Sequence, residues 1–361
     1  MSRISKKVMV GDVAMGGGAP VSIQSMTNTD TRNVDATVEQ IARLTDAGCQ
    51  IVRLAIPDME AASAFGIIKK RVNVPLVADI HFDYRLAIEA MKQGADKVRI
   101  NPGNIGSEDR VRAVLKEAKE RQIPIRVGVN SGSLEKNLVE KYGGVTAEAL
   151  AESAVNMVHY VESLDFNDIV VSLKSSDVAL NDKAYRIVAD QLDYPLHVGI
   201  TEAGTVNRGK VKSAIGIGSL LLSGIGDTIR VSLTGDPVNE VIFAKEILSA
   251  IGLRNSGINL VSCPTCGRTR VDLDAITSQI ERELAPIETY MEENHIPRMT
   301  VAVMGCAVNG PGEAREADLG VAGGDGKGVL IQKGEILRTI PEEEICSQLI
   351  REIKERIGMK S

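Results

Sequence analysis

The chain has 361 residues, 43% hydrophobic and 25% charged, with a net charge of −6, no Trp and 3% aromatic residues. These values describe an ordinary globular protein of two domains, or one large barrel plus a small module, and exclude a global basic footprint for nucleic acid. No run approaches the ~18 apolar residues of a membrane span, and Met1–Lys7 lacks an apolar signal core. The expected location is cytoplasmic, where five cysteines point to metal binding or burial rather than disulfides.

Residues 1 to 18 read as a short hairpin, Lys7–Val10 against Val13–Met15, turning at Gly11-Asp12. Eight β-branched runs follow: Val21–Ser25, Ile51–Ala55, Leu76–Ile80, Lys97–Asn101, Ile125–Val129, Ile169–Leu173, Leu196–Ile200 and Thr228–Leu233. Helix-like segments alternate with them, among them Val34–Ala47, Asp83–Gln93, Ser107–Arg121, Thr146–Leu164, Lys183–Leu192 and Pro237–Ile251. Eight strand–helix units in roughly 250 residues predict an α/β fold with an N-terminal (β/α)8 TIM barrel. A doubly wound sheet would carry fewer strands and a Gly-rich dinucleotide turn after the first. The barrel domain is expected over 1–255, and a small α+β domain over 256–361. The second domain reads as a helix (Asp272–Asn294), a strand (Met299–Met304), Gly-rich hairpins (Leu319–Ile340) and a last helix (Glu342–Ile357). The run Gly323–Gly328 lacks P-loop spacing and reads as a hairpin turn.

Residues two apart on a strand share a face. By that parity Asp79 goes with His81, Arg99 with Asn101, Arg126 with Asn130, Ser172 with Lys174, His197 with Thr201 and Arg230 with Ser232, while Arg53 sits in the middle of its run. All fall toward the C-terminal ends of their strands, where barrel enzymes build active sites. Arg53, Arg99, Arg126, Lys174 and Arg230 would converge in a small space, which is unfavourable without an anion. Guanidinium forks match phosphate oxygens, so a small ligand with more than one phosphate, a diphosphate, is expected. Asp79, His81, His197 and Glu202 are the groups there able to move protons. His81, just past a strand end, is the better histidine candidate; His197 is expected to be buried and satisfied, and His159 and His295 to be structural on helices. The glycines of Ala214–Gly218 and Gly224–Gly226 suit either phosphate binding by backbone amides or tight helix–strand packing.

Cys263-Pro264-Thr265-Cys266 and the distant Cys306 form a soft-metal ligand pattern. A zinc ribbon would usually bring a second C-x-x-C, so three cysteines favour an iron–sulfur cluster modestly over zinc. Cys49 and Cys346 read as buried residues, although Cys346 stays open as a thiolate fourth ligand.

The segments Ser22–Thr29, Val98–Asn104, Val261–Arg268 and Gly305–Ala314, the last holding Cys306 and Asn309-Gly310-Pro311-Gly312-Glu313, closely resemble the 4-hydroxy-3-methylbut-2-enyl diphosphate synthases, commonly called IspG, in their bacterial two-domain form. The resemblance implies a 4Fe-4S cluster held by Cys263, Cys266, Cys306 and Glu313. It implies reductive ring opening of methylerythritol cyclodiphosphate with loss of water, fed by reduced flavodoxin or ferredoxin. It places Arg53, Arg99, Arg126, Lys174, Arg230 and Ser232 on the phosphates. Asp79, His81, Asn101, Asn130, Thr201 and Glu202 would line the rest of the pocket, with Glu202 as candidate proton donor. The helix Pro237–Ile251, about 22 Å long, would carry the chain back to the barrel bottom. A homodimer in which each cluster domain caps the partner's barrel is therefore expected, as in the family. The rivals are a pterin-type barrel transferase with a structural zinc module, and a redox-sensing binder that uses its cluster as a switch.

Overall fold

The computed structural model describes residues 3–306, 312, 314–324 and 326–359. The chain divides into two compact units, Met1–Ile251 and Gly252–Ser361.

The first unit opens with the hairpin of β1 (Val8–Val10) and β2 (Val13–Met15). Then come β3 (Ser22–Met26), α1 (Val34–Asp46), β4 (Ile51–Ala55), α2 (Met59–Lys69), β5 (Leu76–Asp79), α3 (Tyr84–Lys92) and β6 (Lys97–Ile100). After a short α4 (Pro102–Ile105) follow α5 (Glu108–Arg121), β7 (Ile125–Asn130), α6 (Lys136–Tyr142), α7 (Ala147–Ser163) and β8 (Ile169–Lys174). The unit ends with α8 (Val178–Gln191), β9 (His197–Val198), α9 (Val206–Leu222), β10 (Thr228–Ile229) and α10 (Val238–Ala250). Strands β3 to β10 form one parallel sheet in the order β8-β7-β6-β5-β4-β3-β10-β9. A parallel bridge between Val171 and Leu196 joins its two ends, which makes the α/β barrel.

Apolar residues face the helix layer, as a parallel sheet requires. Val52, Leu54, Val98, Ile100, Val127 and Val171 pack there with Leu44, Phe65, Leu115, Val158 and Leu248 from the helices. The hairpin forms a floor: Val8, Val10 and Met15 pack on Ile51, Val77 and Val170 at the starts of three strands. Helix starts are set by caps, with side chains of Asn33, Asp58, Asp83, Thr146 and Asp177 accepting from backbone N–H groups. The Asp177 cap starts α8 at Val178, five residues before the Lys183 start read from composition. Strands β9 and β10 are shorter than expected. A side chain at Gly199 would lie 2.5 Å from the Arg230 carbonyl, so the two backbones approach more closely than a regular ladder with side chains permits.

The Ala214–Gly218 run is neither strand nor phosphate loop but lies inside α9. A Cβ at Gly216 would sit 2.5 Å from Ile200 Cδ1, which settles that glycine as a packing residue. Gly224 (φ 74°) and Gly226 (φ 125°) instead make the turn into β10. His295 is not on a helix. It lies past the Asn294 cap of the long helix described next, at φ 53°.

The second unit is a five-stranded mixed sheet: β11 (Ile258–Ser262), β12 (Met299–Met304) and β13 (Leu319–Gly324) parallel, then β14 (Lys327–Gln332) and β15 (Glu335–Pro341) antiparallel. Helices α11 (Leu273–Glu293) and α12 (Ile345–Ile357) cover one face through Ile280, Leu284, Ile287, Leu349, Ile350 and Ile353. Strand β11 was not legible as a strand in the sequence. It is an edge strand whose last two residues, Val261 and Ser262, are exposed, so only Ile258 and Leu260 give it an inward alternation.

The two α9 glycines give a paired test. Gly216→Ala forces overpacking and is expected to lower barrel stability by about 1–3 kcal/mol. Gly218→Ala meets nothing within 4 Å and is expected to be neutral or stabilising by up to about 1 kcal/mol. Denaturant midpoints of the two variants check this; equal losses would refute it.

Candidate active site

Inward positions of the barrel strands are polar from the floor upward. Lys97, the first residue of β6, is fully buried with Nζ 3.4 Å from Gln24 Oε1 and 3.6 Å from Met15 Sδ. Above it, Arg53, Asp79, His81, Arg99, Arg126, Asn130, Ser172, Lys174, Thr201 and Arg230 line a cavity of about 220 Å³. Parity and register bring them there: Arg99 pairs with Arg126 across β6–β7 and Asn130 with Lys174 across β7–β8.

Asp79 is the hub. Its Oδ1 is 3.3 Å from Arg99, and its Oδ2 is 3.6 Å from Arg53 Nε and 3.7 Å from His81 Nε2. Burial alone would raise its pKa, but Arg53, His81 and Arg99 hold it far below the carboxylate range. It is therefore ionised at any working pH. Arg53 also donates to Met26 Sδ from two nitrogens, at 2.9 and 3.1 Å. Burial, against the attraction of Asp79, lowers Arg53 to about 10. Gly128 makes room for Arg99, since a Cβ there would lie 3.0 Å from Arg99 Nε and 3.1 Å from Ser172 Oγ.

Arg230 is held by Glu240 of α10, 3.4 Å away. Glu240 also accepts from Ser25 Oγ at 3.0 Å and from the Leu233 N–H at 3.0 Å. This buried acid was missed in the sequence. The available signal is an acid on the face that α10 buries with Val241, Ala244, Ile247 and Leu248.

Burial, reinforced by the surrounding cations, pushes Arg126, Lys174 and His197 well below their ordinary values. His197 is buried as expected but not satisfied, because neither ring nitrogen has a partner among the described residues. Asn101 is buried and Ser232 half-buried, and neither lines the cavity. Glu202 is exposed, next to Thr201, with a left-handed backbone (φ 51°) that a non-glycine residue adopts at a cost. His159 lies on the exposed side of α7.

In the second unit, Cys263 follows β11 directly and Cys306 lies two residues beyond β12, the adjacent parallel strand. The Gly305 N–H donates to Cys263 Sγ at 3.2 Å. The Cys266 turn is tied by its N–H to Thr269 Oγ1 (3.0 Å), and the Arg270 N–H reaches Gly305 O at 3.0 Å. Cys266 is exposed, and hydrogen bonds from Arg268 lower its thiol pKa. Cys49 and Cys346 behave oppositely: burial pushes Cys49 up to about 12 and also raises Cys346, which packs in the core of the second unit. Glu313 lies outside the described residues, and among those described no three donors converge on a metal. The donor set itself, Cys263 and Cys306 at the ends of adjacent parallel strands and Cys266 in the turn after the first, with an N–H directed at the Cys263 sulfur, suits a thiolate-bound cluster.

The barrel and its cation-lined cavity, joined in one chain to a three-cysteine module, define an oxidoreductase acting on a small anionic substrate. The GcpE TIM-barrel domain matches residues 5–245 and the GcpE protein C-terminal domain matches 259–355. The 4-hydroxy-3-methylbut-2-en-1-yl diphosphate synthase (flavodoxin) of Ruminiclostridium cellulolyticum is 58% identical, covering 97% of both chains. The proteins of the same name from Caldanaerobacter subterraneus and Geobacter sulfurreducens are 54% and 53% identical, covering 98% or more of each chain. A dihydropteroate synthase crystal structure from Stenotrophomonas maltophilia is similar over 69% of this chain and 98% of its own, with TM-score 0.51 and 13% identity. That likeness is one of barrel fold alone. The chain belongs to the GcpE family of 4-hydroxy-3-methylbut-2-en-1-yl diphosphate synthases, oxidoreductases of isoprenoid biosynthesis.

Replacing Asp79 by Asn would leave Arg53 and Arg99 facing a neutral amide. Breaking a buried ion pair in this way is expected to cost about 3–5 kcal/mol, read as a lowered unfolding temperature. Added sulfate should restore part of the loss by occupying the cavity. An unchanged melting temperature would remove Asp79 from the centre of the site.

Proposed function

We propose that the barrel, residues 1–255, binds 2-C-methyl-D-erythritol 2,4-cyclodiphosphate and that the ring is opened reductively, with loss of water, to 4-hydroxy-3-methylbut-2-enyl diphosphate. The observation that carries the reading is the charge of the cavity. Four arginines, Arg53, Arg99, Arg126 and Arg230, and the amine of Lys174 face one lining carboxylate, an excess of positive charge that a dianionic diphosphate reduces. Family identity and the relatives' name support the same reaction.

The arginine forks and Lys174 bind the phosphates, with Ser232 at the rim. Asp79 fixes Arg53 and Arg99, and Glu240 fixes Arg230, so the cations are oriented before the ligand arrives. Asn130 and Thr201 face the carbon ring, while Asn101 stays a candidate on family resemblance alone. His81, anchored on Asp79, and Glu202, held beyond β9 by its left-handed backbone, are the groups positioned to deliver the proton that the departing hydroxyl needs. A 4Fe-4S cluster held by Cys263, Cys266, Cys306 and Glu313 in the 256–361 domain would supply electrons one at a time and a Lewis-acidic iron. Burial keeps the Cys346 thiol protonated, which supports Glu313 as the fourth ligand. The reaction takes two electrons, and reduced flavodoxin, the carrier in the relatives' name, is proposed as donor, with ferredoxin the other candidate.

The site is proposed to be completed in a cytoplasmic homodimer. Helix α10 runs antiparallel to the strands, so the barrel chain ends at the face opposite the cations, and a partner's cluster domain could cap the mouth. Among the described residues no helix is long and apolar enough to cross a membrane.

Anaerobically purified protein should be brown and contain about four iron and four sulfide per chain. One zinc and no sulfide would sink the reading. Mixed Glu202→Ala and Cys306→Ser chains, each inactive alone, should recover activity once subunits exchange; none recovered after proven exchange rules out the shared site.

A further inference from the structure

Charge around the mouth is not closed by the protein's own acids. Asp79 serves Arg53 and Arg99, and Glu240 serves Arg230. Lys174, at the end of β8, is buried in the same cavity and forms no ion pair among the described residues. The charged groups around it are Arg53 from β4, Arg99 from β6, Arg126 from β7 and Arg230 from β10. Asp79 and His81, from the end of β5, line the same cavity, and His197 of β9 is close enough to feel the lysine. Asn130, Ser172 and Thr201 complete the wall and carry no charge.

Resting on the reading of this cavity as the diphosphate site, we infer that Lys174 is uncharged in the unliganded barrel and gains a proton from solvent when the diphosphate enters, so that substrate binding and protonation of this one side chain are coupled. The step is a simple proton uptake, amine to ammonium, with no electron moved. Without the ligand, burial pushes the Lys174 ammonium well below its ordinary range, and four arginines push further. Two added negative charges in the cavity reverse the second effect, and an ion pair offsets the first. The ligand cannot supply the change itself. Each phosphate of a cyclic diphosphate keeps a single, strongly acidic hydroxyl, already ionised at neutral pH.

Lys97 is the other buried lysine without an acid partner among the described residues. It points at Gln24 and Met15 in the floor and does not line the cavity, so it does not meet the ligand. The sign follows from linkage. Uptake appears at pH values above the free-state pKa of Lys174 and below its liganded value. Inside that window affinity falls as pH rises; below it the lysine is charged before binding, above it the lysine is neutral in both states, and in neither range does Lys174 make affinity depend on pH.

The test is an anaerobic calorimetric titration of the cluster-loaded protein with the cyclodiphosphate. No reductant is added, so nothing turns over. Runs at several pH values across the neutral and mildly alkaline range, each in buffers of different ionisation heat, give the number of protons bound and locate the window. The parent protein should take up about one proton per barrel. Lys174→Arg should still bind, because a guanidinium stays charged and grips the same phosphates, while its uptake falls close to zero. Binding without uptake in the parent overturns the coupling. Undiminished uptake in Lys174→Arg also overturns it, by moving the proton to His81, His197 or Lys97. Absence of any binding heat in the parent overturns the diphosphate reading underneath, a distinct failure. If the arginine variant does not fold, Lys174→Gln takes its place, with uptake again expected to fall close to zero and undiminished uptake again overturning the coupling.

Discussion

Four arginines and Lys174 enter the barrel mouth around the carboxylate of Asp79, and the rest of the site follows from how the repulsion among them is contained. At an effective dielectric constant of about 20, two like charges 4 Å apart repel by about 4 kcal/mol. Asp79 relieves part of this by facing Arg53, Arg99 and His81 together, and Glu240 relieves Arg230 from the helix layer. The remaining excess is what a compact dianion would meet in the proposed site. A scaffold that must hold such charges in place cannot be soft. Here it is a closed parallel sheet with a hairpin packed into its floor and a continuous apolar shell between strands and helices.

The interior beneath the mouth is polar in keeping with this role. Arg126 Nε and NH1, Gln24 Nε2, Ser22 Oγ, Thr228 Oγ1 and both nitrogens of His197 have no partner among the described residues. Unpaired buried polar atoms cost about 1–3 kcal/mol each. A barrel selected for stability alone would fill these layers with Val, Ile and Leu. The departures cluster around and below the ligand cavity, where function rather than packing sets the residue type.

Much of this was legible in the sequence. The eight runs and strand parity located Arg53, Asp79, His81, Arg99, Arg126, Asn130, Lys174, Thr201 and Arg230, because on a barrel strand a two-residue period means one face. What parity could not supply was depth. Asn101 and Ser232 share the inward face yet do not line the cavity, and Glu202 is exposed beyond the strand end. Long-range partners were also invisible. Glu240 lies far along the chain from Ser25 and became a site residue only through the fold. The α9 glycines could not be read for the same reason, since Gly216 is explained by Ile200 on another element. Cys263 and Cys306 come to neighbouring strand ends through β11, the strand not seen in the sequence. Glu313 rests on family resemblance throughout.

The barrel cations, rather than the cysteine module, are proposed to bind the substrate. Equilibrium dialysis of the cyclodiphosphate against wild-type and Arg126→Met protein, without reductant, tests it directly. Circular dichroism confirms that both are folded, and iron analysis that both hold the same cluster. Losing one buried member of a charge-paired site costs at least about 2 kcal/mol, so the variant should bind at least about 30-fold more weakly. Equal affinity in the two proteins would contradict the account.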